Sequence, residues 1–211
     1  MYVLGLTGGM AAGKSTIAAL FRRAKVPVFD ADACVRRLQA PHGRAIGPLQ
    51  RAFPAVVHNG QLDRVALRRL IGQDAAVLPR LEQIIHPLVK QERRAFLARC
   101  RARGVPFCVL DIPLLWETGA ERDCTAVMVV EAPLAVRIAR LRQRHQHRGQ
   151  MSVEEAKAFL TRQMTDQERR QRADIVIKTG LSRAFSARQI HRFLQQLRQE
   201  RDEASAQEGK I

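Results

Sequence analysis

Short apolar runs alternate along this chain with longer stretches in which apolar residues recur every three or four positions. Five runs have the length and content of strands buried on both faces. They are Tyr2-Val3-Leu4-Gly5-Leu6, Val26-Pro27-Val28-Phe29, Phe107-Cys108-Val109-Leu110, Ala126-Val127-Met128-Val129-Val130 and Ile175-Val176-Ile177. Interleaved with helical stretches, they predict a three-layer α/β fold around a five-stranded parallel sheet. After the first run, Thr16 to Phe21 reads as the opening turns of a helix.

The remaining pattern is helical. No strand signal occurs between the second and third runs, a span far too long for one crossover loop. Leu62–Ile71 and Val77–Arg103 carry the helical period there, with Asp63 and Asp74 as N-caps. Pro87 is expected to break or kink the second stretch near His86. From Pro133 to Arg172, Leu134, Ile138 and Leu141 form an apolar stripe, and Arg137, Arg140 and Arg144 share a separate face. His145 to Gln150 reads as a loop, followed by a capping box of Ser152 and Glu155. A last helix is expected over Arg183–Gln199, capped by Ser182, with Ile190, Phe193, Leu194 and Leu197 facing the sheet. The expected division is a core of residues 1–38, 106–132 and 173–200, a helical insertion at 39–105, a lid at 133–172 and a disordered tail at 201–211.

Chemistry enters with Gly8-Gly9-Met10-Ala11-Ala12-Gly13-Lys14-Ser15, which fits G-x-x-x-x-G-K-[ST]. A buried strand precedes it and a helix follows, the context a phosphate loop needs. The glycines let backbone N–H groups curl around phosphate oxygens, and the helix start adds positive partial charge. Lys14 is expected on the terminal phosphates and the Ser15 hydroxyl on Mg²⁺. Functional groups in such sheets sit past the carboxyl ends of strands, which directs attention to Asp30, Asp32, Asp111 and Glu131. Asp32 can accept or orient an acceptor's hydroxyl proton, with Arg36 one turn on. The competing reading makes Asp32 only the cap of the next helix. Asp111 ends a strand of Walker-B character and would support Mg²⁺ through water. Pro113-Leu114-Leu115-Trp116-Glu117 either lines an acceptor pocket or packs the core. The arginine face is either a lid over ATP or a solvated surface. The pair His145 and His147 has no third ligand nearby and does not make a metal site.

Composition narrows the class. With 36 Lys and Arg against 20 Asp and Glu, the net charge of +16 favours anionic partners, either phosphorylated small molecules or nucleic acid. Only 5% of residues are aromatic, which argues against a base-stacking platform. An N-K-x-D guanine-reading motif is absent, which argues against a GTPase. Cys34, Cys100, Cys108 and Cys124 show neither C-x-x-C nor zinc spacing and read as thiols of a reducing cytoplasm. The N-terminal pattern is not that of a signal peptide, and no apolar run is long enough to span a membrane.

Taken in order, Leu4-Gly5-Leu6-Thr7-Gly8-Gly9, Gly13-Lys14-Ser15-Thr16, Asp30-Ala31-Asp32 with Arg36, His86-Pro87 and Pro113-Leu114-Leu115-Trp116-Glu117 resemble the dephospho-CoA kinase family. Arg140 with Arg144, Gln163-Met164 and Ala173-Asp174 extend the resemblance to nearly the whole chain. It implies phosphorylation of the ribose 3′-hydroxyl of dephospho-CoA by ATP, with Mg²⁺, giving CoA and ADP, the last step of CoA synthesis. It implies that Ala11, Ala12, Gly13, Lys14, Ser15 and Thr16 hold the ATP phosphates. Asp32 would take or orient the hydroxyl proton, while Arg36, His86, Leu114 and Glu117 lie on the acceptor side. Residues 39–105 would then bind the CoA moiety. Arg140 and Arg144 would serve ATP from the lid, with Lys14, Asp32 and Arg140 as the catalytic set. A cytoplasmic protein acting without nucleic acid or membrane is expected, as a monomer or, alternatively, an oligomer. The chain departs from the family pattern at Ala11 (commonly Gly), Arg137 (commonly Gln), His145 (commonly Asp), in extra residues before Ser152, and at Lys178-Thr179-Gly180, where an Asn-containing turn is usual. The rivals are a kinase for a nucleoside monophosphate or small hydroxylated acid, and an ATP-binding nucleic-acid protein.

Overall fold

Along the first strand, β1 (Tyr2–Gly8), side chains alternate between two cores: Leu4 and Leu6 enter one, Val3 the other. That alternation places the sheet between two apolar layers. The computed structural model describes the backbone of residues 1–148 and 164–208, and the side chains of residues 1–143 and 164–203. Helix α1 (Lys14–Arg23) buries Ile17, Ala18 and Phe21 against the Leu4 face. The strands β2 (Val28–Asp30), β5 (Phe107–Asp111), β6 (Ala126–Glu131) and β7 (Ile175–Lys178) complete the sheet. All its pairings are parallel, in the order β2-β5-β1-β6-β7. The five predicted strands are therefore all present; Asp30, Asp111 and Glu131 end their strands, and Asp32 lies in the helix that follows Asp30. Val26 and Pro27 fall outside β2.

Between β2 and β5 lie α2 (Ala31–Leu38), α3 (Ile46–Ala52), α4 (Arg64–Gln73) and α5 (Val77–Ala102), which bury Cys34, Leu49, Leu67 and Leu97 over the Val3 face. Two expectations fail here. The span does contain strand, a hairpin of β3 (Val57–His58) and β4 (Gln61–Leu62). Asn59 and Gly60 turn it with φ of 50° and 72°, the left-handed geometry that an Asn-Gly pair accepts. Arms of two residues are too short to show alternation in a sequence. Pro87, in turn, lies inside the continuous helix α5. Its missing N–H orphans only the carbonyl of Gln83, and both residues are exposed, so water can serve that carbonyl. Asp63 caps α4 as predicted, through Val65 and Ala66 at 2.9 Å. Asp74 accepts from Ala76 N at 2.8 Å, in the turn before α5 rather than as its N-cap.

After β6, α6 (Leu134–Arg148) runs through His145 to Arg148, so the expected loop there is helix. His145-Gln146-His147-Arg148 contains no breaker, and Gly149 is the first. The capping box of Ser152 and Glu155 falls outside the described residues, as does Gln163. The apolar stripe faces outward, with Leu134 64% and Ile138 42% exposed, while Arg137 is 5% exposed. Helix α7 (Asp166–Arg172) opens with a capping box of Thr165 and Glu168. Helix α8 (Arg183–Glu208) packs Ile190 and Leu194 on the sheet, and Ser182 Oγ accepts from Phe185 N. It continues past Gln199 to Glu208, so residues 201–208 are helix and not the disordered tail expected. Their sequence, Arg-Asp-Glu-Ala-Ser-Ala-Gln-Glu, is polar but holds no Gly or Pro to stop a helix.

Candidate active site

The phosphate loop joins β1 to α1. Gly13 takes φ of 100°, a left-handed conformation that glycine tolerates, and α1 starts at the next residue. The first N–H groups of a helix have no intrahelical partner and are free to bind an anion. Gly8 through Ser15 line a cavity of about 450 Å³. Lys14 Nζ forms an ion pair with Asp111 Oδ1, and both side chains are largely buried. The partner is fixed by sheet register, since Asp111 lies opposite Leu6 on the neighbouring strand. Burial pushes the Asp111 carboxyl above its ordinary range, while the Lys14 charge and hydrogen bond pull it back.

The other wall comes from α2, after β2, and from α5 of the insertion. Asp30 Oδ1 caps α2 by accepting from Ala33 N at 2.8 Å, and Asp30 Oδ2 accepts from Arg22 at 3.0 Å. The cap of this helix is thus Asp30, and the reading of Asp32 as merely a cap fails. Asp32 stands in the first turn of α2, exposed and on the cavity wall. Helix α5 contributes Ile85, His86, Val89, Lys90 and Arg93 to that wall. His86, Val89, Lys90 and Arg93 follow the i, i+3, i+4, i+7 spacing of one helix face. Arg93 is 5% exposed, with its guanidinium 2.6 Å from Asp123. Pro113, Leu114 and Thr118, after β5, close the cavity.

Of the residues singled out from sequence, Ala11, Ala12, Gly13, Lys14, Ser15, Asp32, His86 and Leu114 meet in this one cavity. Thr16 is drawn into α1, its N–H donating to Gly13 O at 2.9 Å. Arg36 is exposed one turn beyond Asp32, off the cavity wall. Glu117 is also exposed and off the wall, and its charge acts on Arg169 of α7. Arg140 is neither solvated nor in the wall. It donates to Ala11 O at 3.0 Å, to Thr179 Oγ1 at 3.2 Å and to Thr179 O at 2.6 Å. Arg144 lies on α6, with its side chain outside the described residues, as are those of His145 and His147. Sequence reasoning missed Lys90 and Arg93, although their spacing from His86 along a helix was readable. It also missed the contacts of Thr179 and Asp166 around the loop, for which no local signal exists.

Ser15 and Asp111 supply oxygen donors of the kind magnesium takes. Among the described residues no three His, Cys, Asp or Glu side chains cluster to hold a metal. Among the described residues no helix is long and apolar enough to cross a membrane.

The family model for dephospho-CoA kinase matches residues 2–183. A dephospho-CoA kinase of Gluconobacter oxydans is 59% identical over 199 residues, 94% of this chain and 99% of that one. One of Cereibacter sphaeroides is 47% identical over 182 residues, 86% and 89% of the two chains. Among solved structures, TT1252 from Thermus thermophilus superposes with a TM-score of 0.76 at 36% identity, covering 93% of this chain and 97% of the other. The dephospho-CoA kinase from Campylobacter jejuni shares the fold, with a TM-score of 0.68 at 22% identity over 92% and 96% of the two chains. On the match across residues 2–183 and these identities, the chain is a kinase and belongs to the dephospho-CoA kinase family.

Proposed function

We propose that this chain transfers the γ-phosphoryl group of ATP to the ribose 3′-hydroxyl of dephospho-CoA, with Asp32 as the residue that orients the hydroxyl and accepts its proton. One observation carries the reading: Asp32 is released from capping by Asp30 and lines the same cavity as Lys14 and Ser15. A carboxylate so placed can face an acceptor hydroxyl while the loop holds the donor phosphates. Proton acceptance comes late, because the transfer passes through a loose transition state with little bond formation to the nucleophile.

Lys14 is parked on Asp111 and exchanges that partner for the β- and γ-phosphates when ATP enters. Arg140, against the Ala11 carbonyl, keeps positive charge beside the loop, where it offsets charge on the phosphates. Arg144 is its proposed partner on the lid. The Ser15 hydroxyl and, through water, Asp111 would hold magnesium, which when bound offsets the charge of the phosphate oxygens. His86, Lys90 and Leu114 form the acceptor side, with Arg36 and Glu117 at its margin. Residues 39–105 serve as the acceptor-binding insertion and 133–172 as the lid. Four free thiols support a cytoplasmic setting.

The test offers the enzyme Mg·ATP with dephospho-CoA, adenosine, AMP or shikimate in parallel. Selective turnover of dephospho-CoA is expected. ATP binding without that turnover would overturn the acceptor assignment and leave the phosphate loop standing.

A further inference from the structure

A loop that turns its N–H groups toward a phosphate must turn carbonyls the other way, and buried carbonyls require donors. Ala11 and Ala12 are buried, so each outward carbonyl needs a partner. Gly9 O accepts from Ala12 N at 3.1 Å, and Gly13 O from Thr16 N at 2.9 Å, within the loop and its helix. The three carbonyls between them are met from outside. Met10 O accepts from Arg137 Nε at 2.7 Å, Ala11 O from Arg140 at 3.0 Å, and Ala12 O from the Thr179 hydroxyl.

The three donors are themselves fixed. Arg137, buried, forms an ion pair with Asp166 at the start of α7. Thr179, also buried, donates its N–H to Glu131 O at 2.8 Å, at the end of β6. The glycines of the motif leave room for these groups. A Cβ on Gly9 would lie 2.8 Å from the Arg137 guanidinium, and one on Gly13 would lie 2.9 Å from Thr179 Oγ1. Ala11 holds φ of 58°, an unfavourable region for a residue with a Cβ, so the loop needs outside contacts to persist in this shape.

We propose that Thr179 and Arg137 are positioning residues for ATP: they hold the phosphate loop in its binding shape by occupying the outward carbonyls of Ala12 and Met10. The inference rests on the kinase reading above. Neither side chain lines the cavity, so each acts through the loop and not by touching phosphate. Losing either contact frees a carbonyl to rotate inward, which withdraws N–H donors from the phosphates and places a negative dipole in their way. The acceptor wall, built on α2 and α5, shares none of these contacts.

The experiment measures KM for ATP, KM for dephospho-CoA, kcat and Tm in Thr179→Val, Thr179→Ser and Arg137→Met. Thr179→Val keeps the shape and removes the donor. It is expected to raise KM for ATP about tenfold, with KM for dephospho-CoA within about twofold of the parent. Thr179→Ser restores KM for ATP, because the hydroxyl returns. Arg137→Met raises KM for ATP in the same selective way and decides the matter if Thr179→Val does not fold. Equal rises in both KM values, a fall in Tm without a kinetic change, or unfolding of both variants would make the contacts structural supports and overturn the proposal. Parent turnover on dephospho-CoA, measured alongside, tests the underlying reading separately.

Discussion

The two walls of the cleft are built on opposite principles. On the phosphate side, charge and backbone are tied down. Lys14 is paired with Asp111, Arg137 with Asp166, and three successive carbonyls are held by side chains. On the acceptor side, Asp32, His86 and Lys90 are exposed side chains on helices. Phosphate groups are alike in every ATP, so under the proposed function backbone donors held in place by outside contacts would serve them, at a lower cost of ordering on binding. An acceptor must be told apart from other hydroxyl compounds, which calls for side chains at particular helix positions. The cleft thus joins a fixed half to a readable half, and a substitution reports on the half it touches.

The largest effect expected is from Asp32→Asn, which preserves size and removes the proposed base. It should lower kcat by about 10²- to 10⁴-fold and leave ATP affinity near the parent value, measured by steady-state kinetics and calorimetry. An unchanged kcat would remove Asp32 from its role. Lys14→Met should follow, with kcat lower by about 10²- to 10³-fold and weaker ATP binding, because transition-state charge loses its counter-ion. The same variant carries a second readout. Lys14 holds the Asp111 carboxyl down against its burial, so removing it should move that titration to higher pH in a carboxyl-resolved NMR experiment. No upward movement would mean that the pair does not govern Asp111.

Smaller effects belong to the frame. Thr165→Ala removes one half of the capping box and should destabilise the protein by about 1 kcal/mol in denaturant unfolding. Hydrogen bonds from Thr165 hold the Glu168 carboxyl below its ordinary range. A depressed folded-state value means that its stabilisation is present above the ordinary glutamate range and is lost as pH falls through the depressed value. Hydrogen exchange of α7 amides should therefore quicken on acidification, and Glu168→Gln should flatten that dependence. A parent-like pH profile in that variant would assign the effect to another group.

Strands, the phosphate loop and the carboxylates beyond the strand ends were legible because each is a local signal. Leu4 and Leu6 need only their neighbours to be read as buried strand, and Gly13-Lys14-Ser15 needs only its spacing. The hairpin at Asn59-Gly60 had a turn signal without strands long enough to show beside it. The polar tail and His145–Arg148 read as irregular for one shared reason: polarity suggests a loop, but no Gly or Pro stands there to break a helix. Helix α6 shows the deepest gap. Its apolar residues Leu134 and Ile138 face out while Arg137 and Arg140 turn in to the loop carbonyls, a demand for donors that only the folded arrangement reveals. Ala11, Arg137 and Thr179, far apart in the sequence, converge around this one loop.

The most direct test of the cleft as a single reaction chamber is the position of the phosphate in the product. Dephospho-CoA and Mg·ATP would be turned over by the parent enzyme and the product assigned by phosphorus and proton NMR. The account predicts one new phosphomonoester, on the ribose 3′-oxygen, formed with one ADP per product. A phosphate on any other oxygen, or ADP released without a phosphorylated acceptor, would contradict it.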